Sequence, residues 1–401
     1  MRRCCGCRRY NVAMDVRIAQ DLSEIGADDW NRIADPRYPF TSYSFLRALE
    51  TSNCVAGQSG WHPNYLLALD DGKLIGALPL YKKFHSYGEY VFDWAWARAY
   101  AQNGLSYYPK LVVGIPFTPA TGPRFLVAPE SDQNTVAETL IAATRRFADS
   151  QGLSSIHWLF TTETDVARLE QSGFNRRVGC QFHWTNNGYR SFDEFLTTLS
   201  SAKRKKILRE RRHVSEAGIQ IEVRTGDELD SRHWQLMYQF YRRTVDTHAA
   251  IPYLTREFFL TLGQTMPDRT VLVLARDSKD YVAGALNFVG QDTLYGRYWG
   301  TRFPINGLHF EVCYYRAIEF CIDHGLARFE AGAQGEHKIA RGFVPTPTYS
   351  AHWLRNEQFA NAVEDFLDRE RKDMSEYIDE LRMHVPFKDG QRQSVSGIAT
   401  E

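Results

Sequence analysis

At 401 residues the chain exceeds what one hydrophobic core usually organises, so two domains are expected. Its 48 Lys and Arg balance 48 Asp and Glu, which excludes a protein-wide nucleic-acid footprint and leaves room only for local basic patches. No apolar run reaches the roughly 18 residues of a membrane span, and an aromatic share of 13% suits a sizeable core with a pocketed surface.

The basic opening, Met1 to Arg9, lacks the apolar stretch of a signal peptide. Residues 1–14 are expected to be a disordered extension, with Met14 a candidate native start. Cys4, Cys5 and Cys7 have no second ligand pair at zinc-site spacing, so no metal site is expected. Cys54, Cys180, Cys313 and Cys321 sit among apolar neighbours and read as reduced thiols of a cytoplasmic protein.

Asp15 to Ala19 predicts a strand, Ser23 to Ala34 a helix capped by Ser23, and Ser42 to Thr51 a short helix. Tyr65 to Leu69, an Asp70-Asp71-Gly72 turn and Leu74 to Leu80 predict a hairpin, followed by an aromatic strand, Tyr90 to Trp96. Ala97 to Pro129 is rich in Tyr, Pro and Gly and predicts an ordered loop that covers something. A helix near Asn134 to Ala148, a strand Ser155 to Phe160, a helix Asp165 to Gln171 and a strand through Cys180 to Trp184 follow. His183, in that last strand, is expected to face solvent or a carbonyl rather than a ligand.

The order then repeats. Val271 to Ala275, the Asp277 to Asp280 turn and Tyr281 to Leu286 match the first hairpin, Leu294 to Trp299 answers the aromatic strand, and a helix from Leu308 to Asp323 leads into a strand, Arg328 to Glu330. Two helices, Asp230 to Thr247 and Thr255 to Met266, precede the second copy. Two similar α/β (α+β) domains, residues 15–199 and 217–386, each a mixed sheet flanked by helices, are therefore expected. A basic connecting helix, residues 200–216, joins them, and a disordered tail, 387–401, follows. Lys203 to His213 carries eight cationic or potentially cationic side chains in eleven residues, which reads either as a solvated face or as a surface for the phosphates of a cofactor or RNA.

The stretch Phe329 to Phe343 carries the chemistry. A strand runs into Gly332-Ala333-Gln334-Gly335 and then releases Glu336, His337, Lys338 and Arg341, a set able to move protons and hold anions. A hairpin, an aromatic strand, a helix N-terminus and a diverging parallel strand make the slot used by acyltransferases of the GNAT class. Their Gly-rich pyrophosphate loop has no full counterpart here, and only Gly300, Gly307 and the anion contact Arg302 remain to serve it. Acyl transfer to an amine needs a base, oxyanion donors and an acid. Glu336 and Glu311 are candidate bases, His337 acts in either direction, Tyr298 is a candidate acid, and Lys338 and Arg341 suit anion recognition. Thr118, Arg124, Trp94 and Arg297 are candidate substrate contacts. His309-Phe310-Glu311 mimics the start of a zinc-deaminase motif, but no Pro-Cys-x-x-Cys follows.

Phe117 to Arg124, Tyr295 to Gly300, Leu308 to Tyr315 and Gly332 to Lys338 resemble the signature blocks of the bacterial Fem-like (FemAB-like) predicted N-acyltransferases. The likeness runs from about Asp15 to Pro386. It implies two tandem GNAT-like domains and kinship with enzymes that add amino acids from aminoacyl-tRNA to peptidoglycan precursors. The long helical arm of the peptidoglycan-bridge enzymes has no counterpart. The expectation is an N-acyltransferase with no permanently bound cofactor, acyl-CoA as co-substrate and a small-molecule or peptide amine as acceptor. Transfer from aminoacyl-tRNA is the first alternative, and a non-catalytic acyl- or peptide-binding pair the second.

Overall fold

A computed structural model describes residues 14–333 and 335–388. The proposed N-terminal extension with its three cysteines, Gln334 and most of the proposed tail lie outside them. The N-terminal half contributes β1 (Asp15–Ala19), β2 (Trp61–Pro63), β3 (Tyr65–Asp70), β4 (Lys73–Leu78), β5 (Leu80–Lys83), β6 (Lys110–Val113), β7 (Leu126–Val127), β8 (Ser155–Thr161) and β9 (Asn175–Thr185). The C-terminal half contributes β10 (Gln220–Thr225), β11 (Thr270–Arg276), β12 (Tyr281–Val289), β13 (Thr293–Thr301), β14 (Arg328–Glu330) and β15 (Val344–Leu354).

The two hairpins form where alternating apolar residues meet a turn. Asp71 and Gly72 take positive φ between β3 and β4, the geometry that a two-residue hairpin turn requires. Between β11 and β12, the Asp277 carboxylate accepts from the Lys279 and Asp280 amides at 2.8 Å. β11 is buried along nearly its whole length, as its unbroken apolar run demands of a strand covered on both faces.

The aromatic segment Tyr90 to Trp96 is not a strand. Asp93 begins a helix, Trp94–Gln102, that turns Trp96 and Tyr100 inward. The strand lying parallel to β8 is instead β6, from within the expected covering loop. The expected tail does not begin at residue 387, because Phe387 is buried and bridges to Leu199.

β1, β3, β4 and β7 make a small antiparallel sheet, and the other strands form one mixed sheet ordered β10-β11-β12-β13-β14-β9-β15-β8-β6-β5-β2. The two halves are therefore interleaved rather than separate. β15, from the C-terminal half, lies between β8 and β9, while the outer edge of β9 receives β14. A boundary at residues 200–216 does not divide the sheet. The core crosses it too, with Phe40 and Phe45 packed edge-on against Phe288 at 5.2 and 5.5 Å. Among the described residues no helix is long and apolar enough to cross a membrane.

β13 and β14 set the position of the site. They pair in parallel only from Thr293↔Arg328 to Tyr295↔Glu330. Beyond that β13 runs on to Thr301 while the other chain turns away at Ala331. The β12–β13 register jumps from Asn287↔Gly296 to Leu286↔Tyr298, so Arg297 is an inserted bulge residue, a device that re-aims neighbouring side chains.

Candidate functional site

The splay holds a cavity of about 360 Å³, lined among others by Tyr241, Tyr253, Arg297, Tyr298, His309 and Tyr314, and, among the described residues, by no carboxylate. Its helical wall starts at Leu308–Phe310 and continues through one turn of π-helix, Glu311–Tyr315. The wider turn brings Cys313 and Tyr314 to the same side as His309. From the N-terminal half, the Phe117 ring stacks on Tyr253 at 4.8 Å. The Phe117 carbonyl accepts hydrogen bonds from Arg297 Nη2 and, at 3.4 Å, Tyr298 OH. Phe117 of the Pro116 to Arg124 loop thus braces three of the residues that line the cavity.

Tyr314 OH lies 2.9 Å from His337 Nε2. The ring of His337 folds back over Gly335, where a Cβ would lie 2.5 Å from it and φ is 117°, so only glycine leaves that space. Burial, then the charges of Arg341 and Lys338, hold His337 below the usual imidazole range. Burial first, then His337, pushes His309 down to about 4. Both rings are thus held toward the neutral form; His337 is exposed, and burial raises the Tyr314 hydroxyl well above its usual range, so Tyr314 meets His337 as a neutral hydrogen-bond partner. Lys338 is 2% exposed. Its Nζ donates at 2.8 Å to the Gly332 carbonyl, and burial pushes it down to about 8. It meets no carboxylate among the described residues, and its charge reaches Cys313 on the cavity wall.

Several sequence candidates do other work. Glu311 faces away from the cavity and pairs with Arg211 at 3.0 Å and Arg316 at 2.9 Å, so it is not a free base. Arg341 is held by both oxygens of Glu210 at 3.0 Å and lies on the Phe310 ring. Glu336 is exposed and accepts from Tyr377 OH at 2.7 Å. Gly300 exists for packing, since a Cβ there would strike the Phe240 carbonyl. Gly307, at φ 83°, is the turn that starts the helical wall. Arg302 pairs with Asp280 at 2.8 Å. Arg124 is fully buried and donates to the Ala120, Gly122, Pro123 and Leu159 carbonyls, fastening its loop. Thr118 Oγ1 donates to the Pro116 carbonyl at 3.0 Å, and Trp94 packs on Tyr87. Burial raises the Tyr298 hydroxyl well above its usual range, which makes it a hydrogen-bond donor and a poor acid.

Sequence reasoning missed Tyr314 and Glu330. The latter ends β14 opposite His183, is 4% exposed with Oε2 unpartnered among the described residues, and is pushed up to about 7 by burial. His183 is buried rather than solvent-facing, 3.4 Å from Gln181 Oε1. A second cavity, about 240 Å³, lies beside the first and is lined by Tyr90, Arg177, Gln181, Ala333, Tyr349 and Glu370 among others. Arg177 clamps Glu370 there through two hydrogen bonds of 2.7 Å.

The basic helix, Ser201–Glu216, starts at Ser200 as expected and turns Ile207, Glu210 and Val214 inward. Glu210 grips Arg341 and Tyr315, and Arg211 grips Glu311 and Glu319, fixing it against the helical wall of the cavity. The side chains of Lys203, Arg204, Lys205, Lys206, Arg209 and Arg212 meet no carboxylate among the described residues.

A family model described as FemAB-like, peptidoglycan biosynthesis/recognition, matches residues 21–389. Among solved structures, FemX is similar at a TM-score of 0.52 and 11% identity, over 85% of this chain and 98% of FemX. The C-terminal domain of a putative lysylphosphatidylglycerol synthetase from Agrobacterium fabrum is similar at 0.51 and 11%, over 84% of this chain and 96% of that one. Comparison with curated proteins gives no match. Identities this low speak for a shared fold; the family match, spanning nearly all of the described chain, says more. The chain belongs to the FemAB-like family of peptidoglycan biosynthesis and recognition.

Proposed function

We propose that the chain is an aminoacyltransferase that moves an amino acid from an RNA-borne ester to an amine on a peptidoglycan-type peptide. The observation that carries this reading is the row of uncompensated cations on Ser201–Glu216, fixed one helix away from a carboxylate-free cavity. Such a row is an electrostatic track for a phosphate backbone, whereas the residues expected to cradle the pyrophosphate of acyl-CoA are engaged in packing, turn formation and an ion pair. The family description and the similarity to FemX support the same direction.

In the reaction the acceptor nitrogen attacks the ester carbonyl, a C–N bond forms, and the C–O bond to the ribose breaks. His337, exposed and held below the usual imidazole range, takes the proton that the nitrogen loses through the neutral Tyr314 hydroxyl and returns it by the same path to the departing ribose oxygen. Lys338, buried without a counter-charge, supplies positive potential to the tetrahedral oxyanion. Tyr298 and Arg297 orient the aminoacyl group.

The test is binding and turnover with bulk aminoacyl-tRNA and an amine-bearing muropeptide, in parallel with acetyl-CoA. Binding that weakens steeply with salt, together with transfer of label to the peptide, is expected. Tight acetyl-CoA binding with salt-insensitive or absent tRNA binding would overturn the reading.

A further inference from the structure

Among the described residues Tyr90 alone lines both cavities. Its φ is 61°, an outlier for a bulky side chain and one that persists only where the surroundings hold it. Those surroundings are unusual. Tyr90 rides on the loop between β5 and the helix Trp94–Gln102, and one ammonium gathers three side chains of that loop. Lys110 Nζ donates to Ser86 Oγ and Glu89 Oε2, each at 2.8 Å, and to Asp93.

A second lysine, Lys83, fixes the middle of the loop through the Tyr87 carbonyl at 3.1 Å and lies over the Trp61 ring. Behind them Tyr107 OH donates to Asp93 at 2.6 Å, and His157 joins Tyr107, Ser155 and His352. Both lysines are fully buried, and none of these groups except the loop's own Tyr90 reaches a cavity. A buried ionic network adds little net stability compared with apolar packing, and its best-attested use is to fix one arrangement.

We infer that Tyr90 is a specificity-determining partition between the two cavities, and that the Lys110 cluster is the positioning group that holds it there. That the two reactants meet across this boundary rests on the proposed aminoacyl transfer; the clamp and the partition do not. With the loop fastened, a group in the β13–β14 cavity meets a partner in the second cavity only past the Tyr90 ring, which limits the size of what crosses. Tyr90→Ala joins the two spaces, while Tyr90→Phe keeps them apart.

The experiment uses the full chain and needs no substrate. Hydrogen exchange read by mass spectrometry in Glu89→Gln and Ser86→Ala should show residues 84–93 exchanging about tenfold faster or more, with β6 and β13 unchanged. Unchanged loop exchange, or a uniform rise across the N-terminal half, would overturn the clamp. For the partition, 1-anilinonaphthalene-8-sulfonate, an anionic aromatic probe, should bind Tyr90→Ala at least about fivefold tighter than the parent chain, and Tyr90→Phe like the parent, as expected when one enlarged apolar pocket replaces two. Equal binding by all three would overturn it. Both readouts stand if the chain fails to bind tRNA, so a failure of the proposed function and a failure of this inference are separable.

Discussion

The repeated units each bury a lysine beside their parallel strand pair, and the two lysines have opposite surroundings. Lys110, at the start of β6, is surrounded by Ser86, Glu89 and Asp93, and Coulombic attraction outweighs burial to raise its pKa. Lys338, just past β14, has one carbonyl and no carboxylate, and burial lowers it to about 8. The fully compensated charge holds backbone in place. The uncompensated one carries a desolvation cost that only an incoming anion relieves.

The strongest way to break this contrast is to delete each lysine. Lys110→Met strands Glu89 and Asp93 and should cost about 3–5 kcal/mol in denaturant unfolding; a cost below 1 kcal/mol would show that the cluster is not a fastener. Lys338→Met should do the reverse, stabilising the chain by up to about 3 kcal/mol below pH 8 while abolishing transfer. The sign follows from a folded pKa of about 8 against an ordinary 10.5. Between those values the unfolded chain binds more protons, so the parent gains stability as pH rises and the gap to Lys338→Met closes by about pH 10.5. Urea melts of both chains from pH 7 to 10 check this.

Smaller effects sharpen the site itself. His337→Ala should lower turnover about 10²-fold with the fold intact, measured as kcat at saturating donor. Replacing Lys205, Lys206 and Arg209 by Ala should weaken tRNA binding about tenfold and flatten its salt dependence, with stability changed by less than about 0.5 kcal/mol. Glu336→Gln should change turnover less than about twofold, because that carboxylate only receives the Tyr377 hydroxyl. A large loss there would return Glu336 to the mechanism.

The hairpins, the duplication and the splayed slot were legible because period-two alternation and turn residues are local signals. The neighbourhood of His337 and Lys338 was legible for a similar reason, since a glycine-rich turn releasing charged groups stands out. Tyr90 to Trp96 was misread because its alternating aromatics imitate a strand, whereas Asp93 starts a helix there. Tyr314 was hidden by the π-turn, which shifts the helical face by one residue. Arg341 and Glu311 looked functional because their partners, Glu210 and Arg211, are distant in sequence. Long-range pairing is what a single sequence conceals most completely.

The placement of β15 between β8 and β9 has a consequence for how the molecule is made. On the ribosome, β8 and β9 emerge long before the strand that must lie between them, so this part of the sheet cannot close until β15 has been made. Until then β8 and β9 offer unpaired edges to any neighbouring chain. A nascent or truncated chain ending before Val344 is consequently the species in which aggregation and demand for chaperones should concentrate.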